Sequence, residues 1–225
     1  MKIATNVEML EVKSQGAYYP VLLWDEKDVV LIDTGFPGQF ELIKEEMAKC
    51  GFMPEQVTKV FLTHQDIDHV GSVGIFRALG AKIYAYETEA PYIEGVKPLV
   101  KLAAMEGHLD ELPPDRLAFY HMLKKNMPQL QTHVDKTLVD GQNVPVCGGI
   151  QVIHTPGHTP GHMALLLLGA GIVVCGDAAN INGGALIGAN PVHTPDMEVA
   201  AGSFEKLKTL DVTGYVCYHG GYLVK

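Results

Sequence analysis

Directly after the apolar run Val60-Phe61-Leu62, the chain carries Thr63-His64-Gln65-Asp66-Ile67-Asp68-His69, four side chains able to bind a metal within six positions. A short apolar run of this kind reads as a buried strand, so the cluster sits where the backbone leaves a sheet and its side chains can converge. That is half of a metal site. The competing reading is a polar loop that starts the next helix, with Asp68 as its N-cap and Asp66 bonding nearby amides. The rest of the chain has to decide between them.

The context is α/β. Val57 to Leu62 reads as a strand, Val70 to Leu79 as a helix and Ala81 to Tyr86 as a strand, and such β-α-β units put ligands at strand C-termini. Before it, Val7 to Val12, Ala17 to Trp24 and Val29 to Asp33 read as an antiparallel meander, and Gln39 to Cys50 as a helix ended by Gly51. The third run ends in Asp33-Thr34-Gly35, a carboxylate at a strand edge that either orients a metal ligand or bonds turn amides.

From about Glu87 to Lys136 the pattern changes. Prolines punctuate helical pieces such as Leu99 to Glu106 and Pro114 to Lys125, so this stretch reads as a helical insertion, either a passive cap or a substrate lid. Its larger apolar residues, among them Tyr92, Ile93, Leu99, Leu117, Phe119 and Tyr120, must pack on the main body or roof a pocket. His108, His121 and His133 lie here without a partner at metal spacing.

Strands return at Thr137 to Val139, Val144 to Cys147, Gly149 to Ile153, Met163 to Leu168 and Gly171 to Cys175. Between two of them, His154-Thr155-Pro156-Gly157-His158-Thr159-Pro160-Gly161-His162 holds a loop in fixed shape with two Thr-Pro-Gly turns. The last runs into Cys175-Gly176-Asp177. A turn-rich stretch, Ala178 to Pro195, leads to a helix from Asp196 to Leu210 and a strand from Val212 to Cys217, which delivers Tyr218-His219. The whole reads as two sheet halves with helices outside.

Composition narrows the function. The chain of 225 residues has a formal charge of −9 and no basic cluster longer than Lys124-Lys125, which excludes the footprint a nucleic-acid partner needs. The N-terminus lacks the apolar core of a signal peptide and no run reaches membrane-spanning length. With four scattered cysteines and no C-x-x-C spacing, a cytoplasmic protein with reduced thiols is expected, with no membrane or nucleic-acid partner and a homo-oligomer left open.

With these motifs in this order, the chain resembles the metallo-β-lactamase superfamily over nearly its whole length. The resemblance implies a single domain spanning 1–225, an αββα four-layer sandwich of two mixed β-sheets with the insertion at about 87–136, and a dinuclear metal site at one edge of the sheets. Carried over, His64, Asp66 and His158 would hold one ion, Asp68, His69 and His219 the other, and Asp177 would bridge. Two divalent ions are implied, zinc first, with iron or manganese as alternatives.

The departure from the family's H-x-H-x-D-H pattern is Asp66, where a histidine is usual. Three carboxylates and a bridging hydroxide would balance two divalent ions, giving a weaker Lewis acid and moving preference from zinc toward iron or manganese. The resemblance implies hydrolysis of a small ester, lactone or thioester by a metal-bridging hydroxide, with Asp68 as proton acceptor. Two other readings stand beside it. One is a di-iron redox enzyme acting on oxygen or nitric oxide, since the flavodiiron branch has an acidic residue at the same position; the other is a metal-bound binding protein without turnover. Asn180, Asn182, His193 and Tyr218 are candidates for substrate contact, while His154 and His162 are candidates for supporting His158. Cys175 and Cys217, each two residues before a ligand, read as strand packing.

Overall fold

The computed structural model describes residues 1–225 apart from Gln15 and the side chain of Gln129. Strands β1 (Lys2–Ala4), β2 (Val7–Met9), β3 (Val21–Trp24), β4 (Val29–Ile32), β5 (Lys59–Leu62), β6 (Lys82–Tyr86) and β7 (Lys136–Leu138) form one sheet in that spatial order. Strands β8 (Asn143–Val144), β9 (Ile150–His154), β10 (Met163–Leu167), β11 (Ile172–Val174), β12 (Gly214–Cys217) and β13 (Gly221–Val224) form the second, also in sequence order. Both sheets are mixed. β1 to β4 pair antiparallel and β4 to β7 parallel. In the second sheet only β11 and β12 pair parallel.

Period-two burial explains the layering. Val30, Ile32 and Phe61 point into a cluster shared with Val152, Leu165, Val174 and Val216 of the second sheet, while their chain neighbours Leu31, Val60 and Leu62 point to the opposite face. That face is covered by helices α1 (Phe40–Lys49), α2 (Ile67–Val70) and α3 (Val73–Ala78), and by α4 (Ala90–Ile93), α5 (Val100–Glu106) and α6 (Pro114–Leu130) of the insertion. On the far side, Ile153 and Val173 pack toward α7 (Met197–Lys208) through Leu207. The result is the expected order of helix, sheet, sheet, helix. Strands buried on both faces must be apolar throughout, which is why Val60-Phe61-Leu62 and Ile172-Val173-Val174 show no alternation in sequence.

Several elements differ from their sequence reading. The helix read as Val70 to Leu79 is two, α2 and α3, broken at Gly71. There the backbone packs so closely on the preceding loop that an added Cβ would lie 2.2 Å from the Phe36 carbonyl carbon. The turn-rich stretch after Asp177 contains a hairpin, Ala179–Asn182 with Ala185–Gly188, turned by Gly183-Gly184. The run from Val7 to Val12 divides into β2 and a short strand, Val12–Lys13, that pairs with Ala17–Tyr18. Among the described residues, no helix is long and apolar enough to cross a membrane.

Candidate metal centre

Strands β4, β5, β9, β11 and β12 all end at one edge of the sandwich, and the loops leaving them carry the titratable side chains. His64, Asp66, Asp68 and His69 follow β5; His158 follows β9; Asp177 follows β11; His219 follows β12. Their ligand atoms meet. Asp66 Oδ2 lies 3.1 Å from His64 Nε2 and 2.9 Å from His158 Nε2. Asp68 Oδ2 lies 3.2 Å from His219 Nε2 and 3.6 Å from His69 Nε2. Asp177 stands between the two groups, with Oδ2 3.4 Å from His158 Nε2 and Oδ1 3.5 Å from His69 Nε2 and 3.4 Å from His219 Nε2.

The capping alternative finds no support in this geometry. Asp66 holds the N-cap position of α2 but its side chain makes no cap hydrogen bond, and Asp68 lies inside the helix.

The donor set fits metal ions. His64 Nε2 and His69 Nε2 are buried without a hydrogen-bond partner; the first is near Asp66 in distance but not in hydrogen-bonding alignment. A buried imidazole nitrogen left unpaired is costly unless something else coordinates it. His64-Asp66-His158, Asp68-His69-His219 and His64-His69-Asp177 each bring three ligand atoms within 4.8 Å of one another.

Charge points the same way. Burial would raise the Asp66 and Asp177 carboxyls, but the histidines around them hold both well below the usual range. Conversely, burial lowers His219, and its bonds to Asp177 and Asp68 outweigh this and lift it to about 9. The carboxylates raise His69 and His219 against burial, while burial and the charge of His69 lower His64 to about 4 and leave it a neutral donor, and both effects suit a bound cation.

Three partners fix the ligands from behind. Asp33 is fully buried with φ at 62°, and accepts from Thr63 N (2.8 Å), Thr63 Oγ1 (2.8 Å) and His69 Nδ1 (2.9 Å). Both of its readings have a counterpart: it accepts the Thr63 amide, and by taking Nδ1–H it turns His69 Nε2 toward Asp68 and Asp177. His162 Nε2 accepts the Asp177 amide at 3.0 Å, which makes Nδ1–H the donor to Thr155 Oγ1 at 2.8 Å. Gly176 is needed there, since its φ is +53° and a Cβ would sit 2.6 Å from that same Nε2. Tyr218 packs on His69 with centroids 3.9 Å apart and the rings tilted by 33°, and its hydroxyl donates to the Asp68 carbonyl at 2.6 Å.

Other expectations are corrected. Tyr218 is buried and its hydroxyl already committed, so it is not free to meet substrate. His154 lies off the centre, stacked on Tyr86 at 4.3 Å with its Nε2 on the Pro160 carbonyl. Asn182 is exposed in the hairpin, whereas Asn180 and His193 do line a cavity beside the centre. Burial, and then the charges of Lys101 and Arg116, push the His193 imidazole down. Cys175 and Cys217 are fully buried in the cluster under α7, as packing requires.

That cavity, of about 710 Å³, lies against the helices of residues 87–136. Leu99, Leu102 and Met105 of α5 and its approach, with Phe119 and Leu123 of α6, line one wall, and Asp66, Asp68, Asp177 and His219 lie at its base. Leu99, Leu102 and Leu123 are at the same time part of the buried core, together with Ile93 and Tyr120. The helices of residues 87–136 are thus both a wall of the cavity and a core element.

Sequence reasoning missed Glu89 and Lys101. Glu89 is fully buried; its Oε1 accepts from Gln65 N (2.9 Å) and Nε2 (3.0 Å), and its Oε2 from Gly161 N (2.8 Å), tying the His64 loop to the His158 loop. Neither residue has a spacing or motif that would have exposed it.

Comparison with known proteins decides the lineage. The profile of the metallo-beta-lactamase superfamily matches residues 15–219. The chain belongs to this superfamily. It is 29% identical over 231 residues to a protein of Bacillus subtilis (strain 168) described as a probable metallo-hydrolase, YflN, covering 96% of this chain and 84% of that one. An N-acyl homoserine lactonase of Bacillus sp is 25% identical over 65% of this chain and 56% of its own length. Among solved structures, a metallo-beta-lactamase family protein of Thermus thermophilus superposes with a TM-score of 0.77 at 21% identity, over 99% of this chain and 76% of that one. As a member of this superfamily, the protein is a metal-dependent hydrolase.

Proposed function

We propose that the protein hydrolyses a small ester, lactone or thioester with an apolar acyl part, using two divalent ions held by His64-Asp66-His158 and Asp68-His69-His219 with Asp177 between them. One observation carries this reading: two triads of possible ligands flank Asp177 at the base of a cavity whose roof is mostly apolar. A cavity of about 710 Å³ suits a small molecule. The lactonase named above, whose substrate is an acylated lactone, supports the choice of bond.

Two ions in such triads would lower the pKa of a water between them and polarise the substrate carbonyl. The chain supplies the rest. Asp68, whose carboxylate lies at the base of the cavity beside His219 and His69, would take the water's proton through the oxygen that its ion leaves free. Tyr218 and Asp33 hold Asp68 and His69 in place from behind. Leu102, Met105 and Phe119 receive the acyl chain and exclude water from the carbonyl. His193, kept neutral by burial and by its cationic neighbours, retains one ring N–H for the substrate oxygen.

Purified protein should contain up to two equivalents of zinc, iron or manganese by elemental analysis, and turn over acyl lactones or thioesters in a panel that also includes phosphodiesters. Asp68→Asn should weaken metal binding in the Asp68-His69-His219 half and, assayed at saturating metal, still reduce kcat by at least about a hundredfold. Full metal content with no turnover of the lactones, esters or thioesters would sink this substrate reading. The carboxylate in the first triad also motivates a di-iron redox centre, which iron-loaded protein silent to reductant in its optical and EPR spectra would eliminate.

A further inference from the structure

Lys101 stands where a metal should. It sits in the first turn of α5, and its Nζ bonds Asp66 Oδ2 and lies 3.1 Å from His158 Nε2. Those are two of the three ligand atoms of the first triad. The second triad has no counterpart: among the described residues, no lysine or arginine pairs with Asp68 or Asp177.

The placement is built in from both sides. The Val100 amide donates to Gln65 Oε1 at 2.8 Å, and Gln65 is itself held by Glu89. Leu99 and Leu102 are buried on either side. The loop that carries His64 and Asp66 therefore fixes the backbone that delivers the ammonium to Asp66.

We propose that Lys101 is a tethered cation that competes with metal for the first triad, so that the two halves of the centre load unequally. This rests on the dinuclear reading above. The Asp68-His69-His219 half fills first. An ion can enter the His64-Asp66-His158 half only when the ammonium leaves Asp66 and His158, because two cations within hydrogen-bonding reach of the same oxygen repel. Four rotatable bonds let the ammonium withdraw without moving the helix, and the cavity that Lys101 already lines can take it. No covalent step is involved. Displacing the ammonium costs first-half affinity, and a cation is left beside the substrate once both halves are full.

The test is a titration of metal-free full-length protein with zinc, and separately with manganese, against a chromophoric chelator. Wild type should bind one ion at least about tenfold more weakly than the other. In Lys101→Met and Lys101→Gln the weaker constant should tighten by about tenfold or more, with the tighter one changing less than about twofold. Lys101→Arg should stay near wild type, and Asp66→Ala should abolish the weaker class. One ion in wild type and two in Lys101→Met is the same result at its limit. If wild type and both neutral variants, folded by circular dichroism, bind two ions with the same constants, Lys101 does not compete. If all of them bind one ion only, the dinuclear reading falls together with this one.

Discussion

Asp33 accepts three hydrogen bonds in a backbone conformation that non-glycine residues seldom adopt, and it decides which nitrogen of His69 faces the centre. Asp33→Asn keeps the size but offers an amide donor where His69 Nδ1 needs an acceptor. The ring then protonates on Nε2 and loses its ligand lone pair. Affinity of the Asp68-His69-His219 half should fall by about 10–100-fold, read by metal titration, with circular dichroism unchanged. A loss confined to the other half would refute this role. The position of Asp33 was legible, because a carboxylate at a strand's end is a usual site residue. Its partners were not, since Thr63 and His69 lie 30 and 36 residues away. Asp66 was legible as a ligand type, but its ammonium partner 35 residues on was invisible for the same reason.

Among the elements, the loops after β5 and β9 matter most, and each is held by the other through Glu89 at the start of α4. Removing that carboxylate leaves the buried amides of Gln65 and Gly161 without acceptors. Glu89→Ala should cost roughly 2–4 kcal/mol of stability, seen as a drop of several degrees in Tm, and should weaken both metal affinity and the hold on α5. An unchanged Tm would mean the two loops are fixed by other contacts. The helices α1 and α7 were readable because their apolar residues recur at helical spacing: Ile43 and Met47 line one face of α1, and Asp196 accepts from Val199 N at the start of α7, whereas α6 begins at Pro114 as read but continues past Lys125 and through Pro128 to Leu130. The break at Gly71 and the hairpin after Asp177 were not. One depends on a loop packed against the helix, and the other is made of strands of four residues each, too short for a periodic signal.

For the whole molecule, the centre lies between the sheets. His64, Asp66, Asp68 and His69 leave the first sheet, while His158, Asp177 and His219 leave the second, so bound ions would stitch the two together. Metal held about a thousandfold above its dissociation constant stabilises by about 4 kcal/mol, which for a chain of this length is about 10 °C in Tm. Stripping metal with EDTA should lower Tm by that order, and adding it back should restore it. A Tm unmoved while elemental analysis shows complete removal would mean that the ions do not couple the sheets.

The sequence alone determined the candidate metal-binding side chains, their order along the chain and the strand ends that carry them, because these follow from local hydrophobic patterning and from the chemistry of side chains a few positions apart. Only the tertiary structure decided that Lys101 reaches Asp66, that Glu89 ties two ligand loops and that α5 and α6 roof the cavity. Hydrogen bonds and ion pairs act over a few ångströms of space, and the residues they join here are separated by 24 to 72 positions of chain.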